Sequence, residues 1–284
     1  IDHGITSMST RGIVVNPNSS ETSSIVYTGV WKYEGVFRSN DGGEFWFPVD
    51  NGSAGTRIYS MSINPKNSNI VFAATFSGGV LKTSNGGESW KISGLADYEI
   101  PITAIDPQNP QLVYAGTIGH GLYKSHDTGE TWQKSQKGLH ATNISAVLIS
   151  PDNALLYYAG LPDEGVKQSS DGGQNWVRLG SDLSDFEILG LVMPPNRDQL
   201  LFALTDTGGL YRCNLAGNCW EKISINFPQN AQVAFDSGHP FSQPAFLDED
   251  TQAPAALTGT PAILALSFAL NMPQIAYLGT SGAG

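Results

Sequence analysis

The chain of 284 residues carries 15 Lys and Arg against 26 Asp and Glu, a net charge of −11. Hydrophobic residues make up 40% and charged residues 14%, and 32 glycines and 16 prolines suit a globular protein of short strands and many turns. The basic residues are scattered and no apolar run approaches the roughly 20 residues of a membrane span, so we predict no nucleic-acid partner and no transmembrane segment.

The chain begins at Ile1 and shows no signal peptide. Either a leader has been removed or the sequence is a fragment of a longer protein.

A pattern of the form Ser/Thr-x-Asp/Asn-x-Gly-x-x-Trp recurs along the chain. Its copies span 39–46, 83–90, 125–132 and 169–176, with a degenerate copy at 213–220. The closing tryptophans are 44, 42, 44 and 44 residues apart, and a fixed period of about 20–50 residues is typical of repeat architectures. The repeated positions are Asp41, Gly43 and Trp46; Asn85, Gly87 and Trp90; Asp127, Gly129 and Trp132; Asp171, Gly173 and Trp176; and Gly217 and Trp220.

Each residue type in the pattern has a reason to form a tight turn. An Asp or Asn side chain accepts hydrogen bonds from backbone N–H groups just ahead of it. Glycine adopts positive φ without a steric penalty, and Ser or Thr bonds the backbone locally. The Trp starts the next strand and offers a large apolar surface. We interpret these carboxylates as turn staples, with a catalytic or metal-binding role as the alternative.

The pattern resembles the Asp box, also called the bacterial neuraminidase repeat, of β-propeller proteins. The resemblance implies that each box joins the third and fourth strands of a four-stranded antiparallel blade, at the periphery and away from the central site. We therefore predict an all-β protein, a β-propeller with five full blades and half of a sixth.

The third unit shows the blade most clearly. Its predicted strands start with 102–107, 112–117 and 121–125, and a fourth begins at Trp132. The other units align with it, which predicts one domain over 1–284 with an insertion at 226–260. The predicted blades are 11–50, 56–95, 101–137, 144–181, 188–225 and the partial 261–284.

The sixth unit stops after its second strand, which leaves two interpretations. The chain is a fragment of a longer propeller, which we favour, or residues 1–9 supply an outer strand and close a six-bladed ring. The insertion at 226–260 is either a partner-binding flap or a loop with no special role.

Cys213 and Cys219 lie at the front and near the end of the degenerate copy. A hairpin there brings them together, so we predict a disulfide that replaces the staple, since Leu215 accepts no side-chain hydrogen bond. A disulfide implies an oxidising compartment. No second Cys or His pair lies nearby, so we predict no metal site.

Ligands of propellers usually bind at the loops between second and third strands and at the blade-to-blade loops. In this chain those loops are acidic and bear aromatic side chains, which suit sugar stacking with hydroxyl recognition or a basic protein partner. The alternative is a solvated acidic rim. The candidate binding residues are Trp31, Tyr33, Glu34, Arg57, Phe76, Asp97, Tyr98, Glu99, His120, Asp163, Glu164 and Asp206.

Glycoside hydrolysis needs two carboxylates across the scissile bond, one of them with a raised pKa. The loops hold many carboxylates, but none stands out, so no catalytic residue is assigned. Sialidases with this box carry three arginines for the substrate carboxylate. Here Arg38 and Arg212 fall on third strands and Arg178 on a fourth, so we predict no such triad unless missing blades supply it.

The repeat also resembles xyloglucan-active endoglucanases, and it resembles photosystem II assembly-factor and sortilin-like propellers, which bind proteins. We predict a non-enzymatic, extracytoplasmic module (secreted, periplasmic or at the cell surface) that binds or assembles with a protein or a polysaccharide and uses no cofactor. The alternative is a glycoside hydrolase, xyloglucanase-like rather than sialidase-like.

Overall fold

The computed structural model describes residues 10–19, 24–31, 35–135, 137–162, 164–180, 183–194, 197, 199–216 and 219–223, and the backbone of 263–269 and 272–280. The described residues form 22 strands and no helix. Residues 1–9 and the predicted insertion at 226–260 lie outside them.

In the described part of the chain, no helix has the length and apolar character needed to cross a membrane.

Five four-stranded antiparallel sheets and one two-stranded sheet follow one another along the chain, each with its strands paired in sequence order. The first two sheets are β1 (Thr10–Val15), β2 (Val26–Val30), β3 (Gly35–Ser39) and β4 (Phe47–Pro48), then β5 (Ile58–Ile63), β6 (Val71–Thr75), β7 (Val80–Thr83) and β8 (Lys91–Gly94). The next two are β9 (Ile102–Ile105), β10 (Val113–Gly116), β11 (Leu122–Ser125) and β12 (Gln133–Lys134), then β13 (Ala146–Ile149), β14 (Tyr157–Leu161), β15 (Gly165–Ser169) and β16 (Val177–Arg178). The last two are β17 (Ile188–Val192), β18 (Leu200–Thr205), β19 (Leu210–Asn214) and β20 (Glu221–Ile223), then β21 (Ile263–Ala269) and β22 (Met272–Thr280).

The first strands lie side by side from sheet to sheet: β1 contacts β5, β5 contacts β9, β9 contacts β13, β13 contacts β17, and β17 contacts β21. The second strands β2, β6, β10 and β14 are buried at every position. Burial of both faces is expected where neighbouring sheets cover a strand, and it explains their continuous apolar sequences. The predicted all-β β-propeller is confirmed.

In the first four sheets, the turn after the first strand is set by a short polar residue followed by proline. β9 ends at Ile105, and the next residue, Asp106, is fully buried. Its Oδ1 accepts backbone N–H groups from Gln108 at 2.8 Å and Asn109 at 3.0 Å, while its Oδ2 accepts the hydroxyl of Tyr157 at 2.8 Å. These three bonds satisfy a buried carboxylate and join the third sheet to the fourth.

The repeated pattern forms a hydrogen-bonded turn between the third and fourth strands, which we call the repeat turn. In the third copy Ser125 donates to Asp127 at 2.7 Å and accepts the N–H of Gly129 at 2.7 Å. Asp127 in turn accepts the N–H of Thr131 at 2.8 Å and its hydroxyl at 2.6 Å. Bonds from Thr131, then from Ser125, hold the pKa of Asp127 well below its usual range. The same Ser/Thr, Asp/Asn and Gly contacts occur in the turns that start at Ser39, Thr83 and Ser169.

The fourth strands begin one residue after each tryptophan rather than at it. In the fifth copy, Cys213 and Cys219 form a disulfide, with sulfur atoms 2.08 Å apart and Cα atoms 4.4 Å apart. The disulfide closes the hairpin in which Leu215 stands at the Asp position.

The second, third and fourth repeat turns are each received by the preceding sheet in the same way, and we call this contact the box junction. A basic residue of the third strand lies opposite an aromatic residue of the second strand and donates to the carbonyl of the residue before the turn's glycine. The donors and acceptors are Arg38 to Gly86 at 2.7 Å, Lys82 to Thr128 at 2.6 Å and Lys124 to Gly172 at 2.7 Å.

The glycine of the repeat turn serves this junction as well as the turn itself. Gly173 has φ of +79°, and an added Cβ would lie 2.6 Å from the hydroxyl oxygen of the buried Tyr114. The same Tyr114 hydroxyl donates to the Gly172 carbonyl at 2.9 Å. A larger residue at this position would therefore separate two sheets.

The tryptophan completes the contact by donating its indole N–H to the preceding sheet. Trp90, Trp132 and Trp220 bond backbone carbonyls three residues past the tryptophan of that sheet. The acceptors are Val49 at 2.8 Å, Ser93 at 3.1 Å and Leu179 at 2.8 Å, respectively.

Candidate functional site

The loops between second and third strands share one end of the molecule with the sheet-to-sheet connections, and we call this end the loop face. Backbone N–H groups of the former bond carbonyls of the latter at 3.0 Å in three sheets. The pairs are Phe76 to Arg57, Ile118 to Glu99 and Asp206 to Glu187. Repeat turns lie at the opposite end of the strands.

A cluster of aromatic and charged side chains forms on the loop face from the first two sheets and the connections that follow them. Every member is half-buried. The members of this loop-face cluster are Arg11, Trp31, Arg57, Tyr59, Phe76 and Glu99.

The three rings of the cluster are in mutual contact. The centroid of Trp31 lies 4.9 Å from that of Tyr59 and 5.6 Å from that of Phe76. Tyr59 and Phe76 are 6.1 Å apart. The tilted and edge-on geometries are those that aromatic rings prefer. The ring contacts link the end of β2 to the start of β5 and the end of β6.

Two guanidinium groups lie over these rings. Arg11 is 4.4 Å from the centroid of Trp31, and Arg57 is 5.3 Å from it. Arg57 also lies 5.2 Å from the centroid of Phe76. Such cation–π contacts are worth roughly 0.5–2 kcal/mol each, depending on desolvation, and they fix the arginines in place.

Glu99 is tied to this cluster by a short hydrogen bond. The hydroxyl of Tyr59 donates to its carboxylate at 2.5 Å. Burial, followed by this hydrogen bond, raises the pKa of Tyr59 above its ordinary value, because both disfavour the phenolate. Tyr59 therefore remains a hydrogen-bond donor at physiological pH.

A second aromatic group lies next along the loop face. The ring of Tyr98 stacks on the exposed His120 with centroids 4.1 Å apart and planes 12° apart. Its hydroxyl lies 3.4 Å from that of Tyr123. The carbonyl of Ile118 lies 3.1 Å from Nδ1 of His120, which holds the imidazole at this angle.

The other predicted residues do not join the cluster. Asp97 and Asp206 are exposed, and the carboxylate of Glu164 pairs with Lys167 at 2.8 Å on its own strand hairpin. Tyr33, Glu34, Asp163 and the turn residue Gly217 lie outside the described residues.

The structure thus brings together Trp31, Arg57, Phe76 and Glu99 of the predicted set. It adds Arg11 and also Tyr59, which the sequence places in a blade-to-blade loop but which the list of candidate binding residues does not include. A sequence signal for both existed, because each lies at the start of a first strand, and first strands start at the loop face. Pattern alone did not show that these two side chains reach the rings of a neighbouring loop.

Among the described residues, no three His, Cys, Asp or Glu side chains are grouped closely enough to hold a metal ion.

No protein-family model and no curated protein matches the chain. Solved structures do match. The GH74 xyloglucanase from Xanthomonas campestris is similar over 81% of this chain with 17% identity and a TM-score of 0.64, and this match covers 39% of that chain. An ancestral GH74 enzyme matches 78% of this chain with 23% identity and a TM-score of 0.62, covering 32% of its own length.

A third similar structure is YCF48 bound to D1 peptide, with 18% identity over 78% of this chain, a TM-score of 0.56 and 70% of its own chain covered. The chain spans only 32–39% of the length of the two GH74 enzymes described above. No family model matches the repeat turns, so their assignment to the Asp box stays a prediction. At these identities the similarity shows the fold alone, and that fold is a β-propeller.

Proposed function

We propose that the chain is a non-enzymatic β-propeller module that binds a polypeptide partner through its loop face. The loop-face cluster carries this proposal. Trp, Tyr and Arg are the residue types most enriched among those that dominate the energy of protein interfaces. Here they are half-buried, in mutual contact and fixed by cation–π contacts, so a partner would bury them with little loss of side-chain entropy.

A polypeptide suits this surface better than a sugar does. Sugar stacking requires an open aromatic face, but guanidinium groups lie over Trp31 and Phe76, and His120 covers a face of Tyr98. The peptide-bound state of the YCF48 propeller supports the same choice.

The second candidate function is glycoside hydrolysis, which the GH74 fold similarity favours. Two predicted carboxylates of the loop face are already engaged: Glu99 by Tyr59 and Glu164 by Lys167. This engagement supports binding rather than the acid and base roles that glycoside hydrolysis needs.

An extracytoplasmic location is part of the proposal. The disulfide between Cys213 and Cys219 supports it, because disulfides persist in oxidising compartments and are rare in the cytosol.

The test uses the whole chain as bait for a phage-displayed random peptide library, with soluble xyloglucan as the polysaccharide arm. We expect wild-type protein to select peptides that Trp31→Ala binds at least about tenfold more weakly, since loss of an interface anchor costs 2 kcal/mol or more. Ile92→Ala is the matched control, because Ile92 is 55% exposed on the outer strand β8. It should bind like wild type.

Failure of the library to yield any peptide that distinguishes Trp31→Ala from Ile92→Ala would overturn the proposal. Sustained release of reducing sugar from xyloglucan, lost in Glu99→Gln, would establish the hydrolase instead. Melting temperatures of Trp31→Ala and Ile92→Ala close to that of wild type would show that the fold of these variants is intact.

A further inference from the structure

The chain contains two Asn-Gly dipeptides, at 51–52 and 85–86. Asparagine is a thermolabile residue type. Before glycine its side-chain amide is open to attack by the next backbone nitrogen, because glycine has no side chain to hinder the approach and its backbone turns freely. The two dipeptides are identical in sequence, so a difference in their reactivity comes from their surroundings in the fold.

The Asn85–Gly86 dipeptide is held at both groups that would react. The N–H of the buried Gly86 donates to the carbonyl of Asn69 at 3.0 Å. Oδ1 of Asn85 accepts the hydroxyl of Thr83 at 2.8 Å and the N–H of Ser89 at 3.1 Å. Its Nδ2 donates to the Ser89 hydroxyl at 3.0 Å. The attacking nitrogen and the amide that it would attack are therefore both fixed by the second repeat turn.

The Asn51–Gly52 dipeptide lies in the connection between the first and second sheets, and both residues are exposed. Within the part of the chain that the structure describes, the Gly52 N–H donates to no acceptor. Nδ2 of Asn51 donates to the carbonyl of Glu88 at 3.2 Å, the long end of the range for such bonds. The attacking nitrogen is thus free, and the amide is held by a weak, exposed bond.

We propose that Asn51 is a site of spontaneous deamidation in the folded protein and that Asn85 is protected. The Gly52 nitrogen loses its proton to solvent and forms a bond to Cγ of Asn51. The bond from Cγ to Nδ2 breaks, and ammonia leaves with that proton. Water then opens the five-membered imide: attack at Cγ gives aspartate, and attack at the backbone carbonyl carbon gives isoaspartate.

Both products weaken the contact between the first connection and the second repeat turn. The carbonyl of Asn51 accepts the N–H of Trp90 at 2.7 Å, and a Cβ added to Gly52 would lie 2.0 Å from the Trp90 carbonyl oxygen. Isoaspartate lengthens the main chain by one carbon within this close contact. In aspartate, a carboxylate oxygen replaces the Nδ2 that donates to Glu88, so two acceptors face each other.

No residue of the loop-face cluster takes part in this reaction. The inference therefore does not depend on the proposed function.

The test follows both sites in one sample of the full chain by peptide mapping with mass spectrometry. Trypsin places them in separate peptides, 39–57 and 83–91, because it cleaves after Lys and Arg. During storage of the folded protein at mildly alkaline pH, we expect Asn51 to convert to acid at least about tenfold faster than Asn85, since reaction at Asn85 first requires local opening of the repeat turn. Fragment ions assign the change within 39–57 to Asn51.

Two controls separate the fold from the sequence. In guanidinium chloride the two sites should convert at similar rates, because neither is then held by its neighbours. Asn51→Gln should leave peptide 39–57 unchanged over the same time, since the longer side chain would have to close a less favourable six-membered ring. The melting temperature of stored wild type should fall as conversion proceeds, and that of Asn51→Gln should stay constant.

Equal rates at the two sites in the folded protein, faster conversion of Asn85, or an unchanged Asn51 would refute the inference. A melting temperature that does not respond to conversion would overturn the proposed weakening of the contact with the second repeat turn.

Discussion

The two ends of the sheets are built on different principles. At one end the repeat turns recur with the same donors, acceptors and glycine, and the preceding sheet receives three of them through one basic residue each. At the loop face, the cluster around Trp31 occurs once among the described residues and draws its side chains from the first two sheets and the connections that follow them. Contacts that recur from unit to unit join the sheets, whereas the proposed binding surface is built from contacts particular to one place in the fold.

The largest expected effect lies at a sheet junction. Gly52 has φ of +91°, and a Cβ added there would lie 2.0 Å from the carbonyl oxygen of Trp90. Gly55 has φ of +76° in the same connection, but an added Cβ meets nothing within 4 Å. We expect Gly52→Ala to reduce the free energy of unfolding by at least about 2 kcal/mol more than Gly55→Ala, since backbone cannot move aside as a side chain can.

Urea unfolding followed by tryptophan fluorescence measures this difference. Equal midpoints for the two variants would contradict the close contact between the first connection and the second repeat turn.

A smaller effect is expected at the fifth turn, where the staple is covalent. The double variant Cys213→Ser/Cys219→Ser should lose about 2 kcal/mol, because a disulfide that closes so short a loop removes limited chain entropy from the unfolded state. Reductant should lower the midpoint of the wild type to that of the variant and leave the variant unchanged. A wild-type midpoint insensitive to reductant would show that the bond does not stabilise the fold.

The smallest expected effect is the loss of stability at acidic pH that follows from protonation of a turn carboxylate. Bonds from Asn175, first from its side chain and then from its backbone, lower the pKa of Asp171 to about 2. Its carboxylate therefore contributes stability that is present above the unfolded pKa of about 3.9 and is lost as pH falls through about 2. Asn85 holds the second turn without titrating, so Asp171→Asn should keep the fold and lack this dependence.

Melting curves of wild type and Asp171→Asn, recorded from pH 7 to pH 2, test this. The wild type should lose a few degrees relative to the variant between about pH 4 and pH 2. Parallel curves over that range would show that the turn carboxylate is not coupled to folding.

The sequence by itself determined the local structure of this protein. Asp127, Gly129 and their counterparts encode a turn through contacts within five residues, and the 42–44 residue step encodes the succession of sheets. The approach of Cys213 to Cys219 followed from the same hairpin. Such short-range chemistry can be inferred from residue type and spacing.

Only the tertiary structure decided which side chains meet across sheets. Trp31 of the first sheet meets Tyr59 and Phe76 of the second, and Tyr59 reaches Glu99 across 40 residues of sequence. Likewise, the periodic pattern ended at the tryptophan and did not show that Lys124 receives the turn around Gly172. These contacts depend on how neighbouring sheets pack, and the residue types and spacing within one unit do not show which atoms of the next unit they reach.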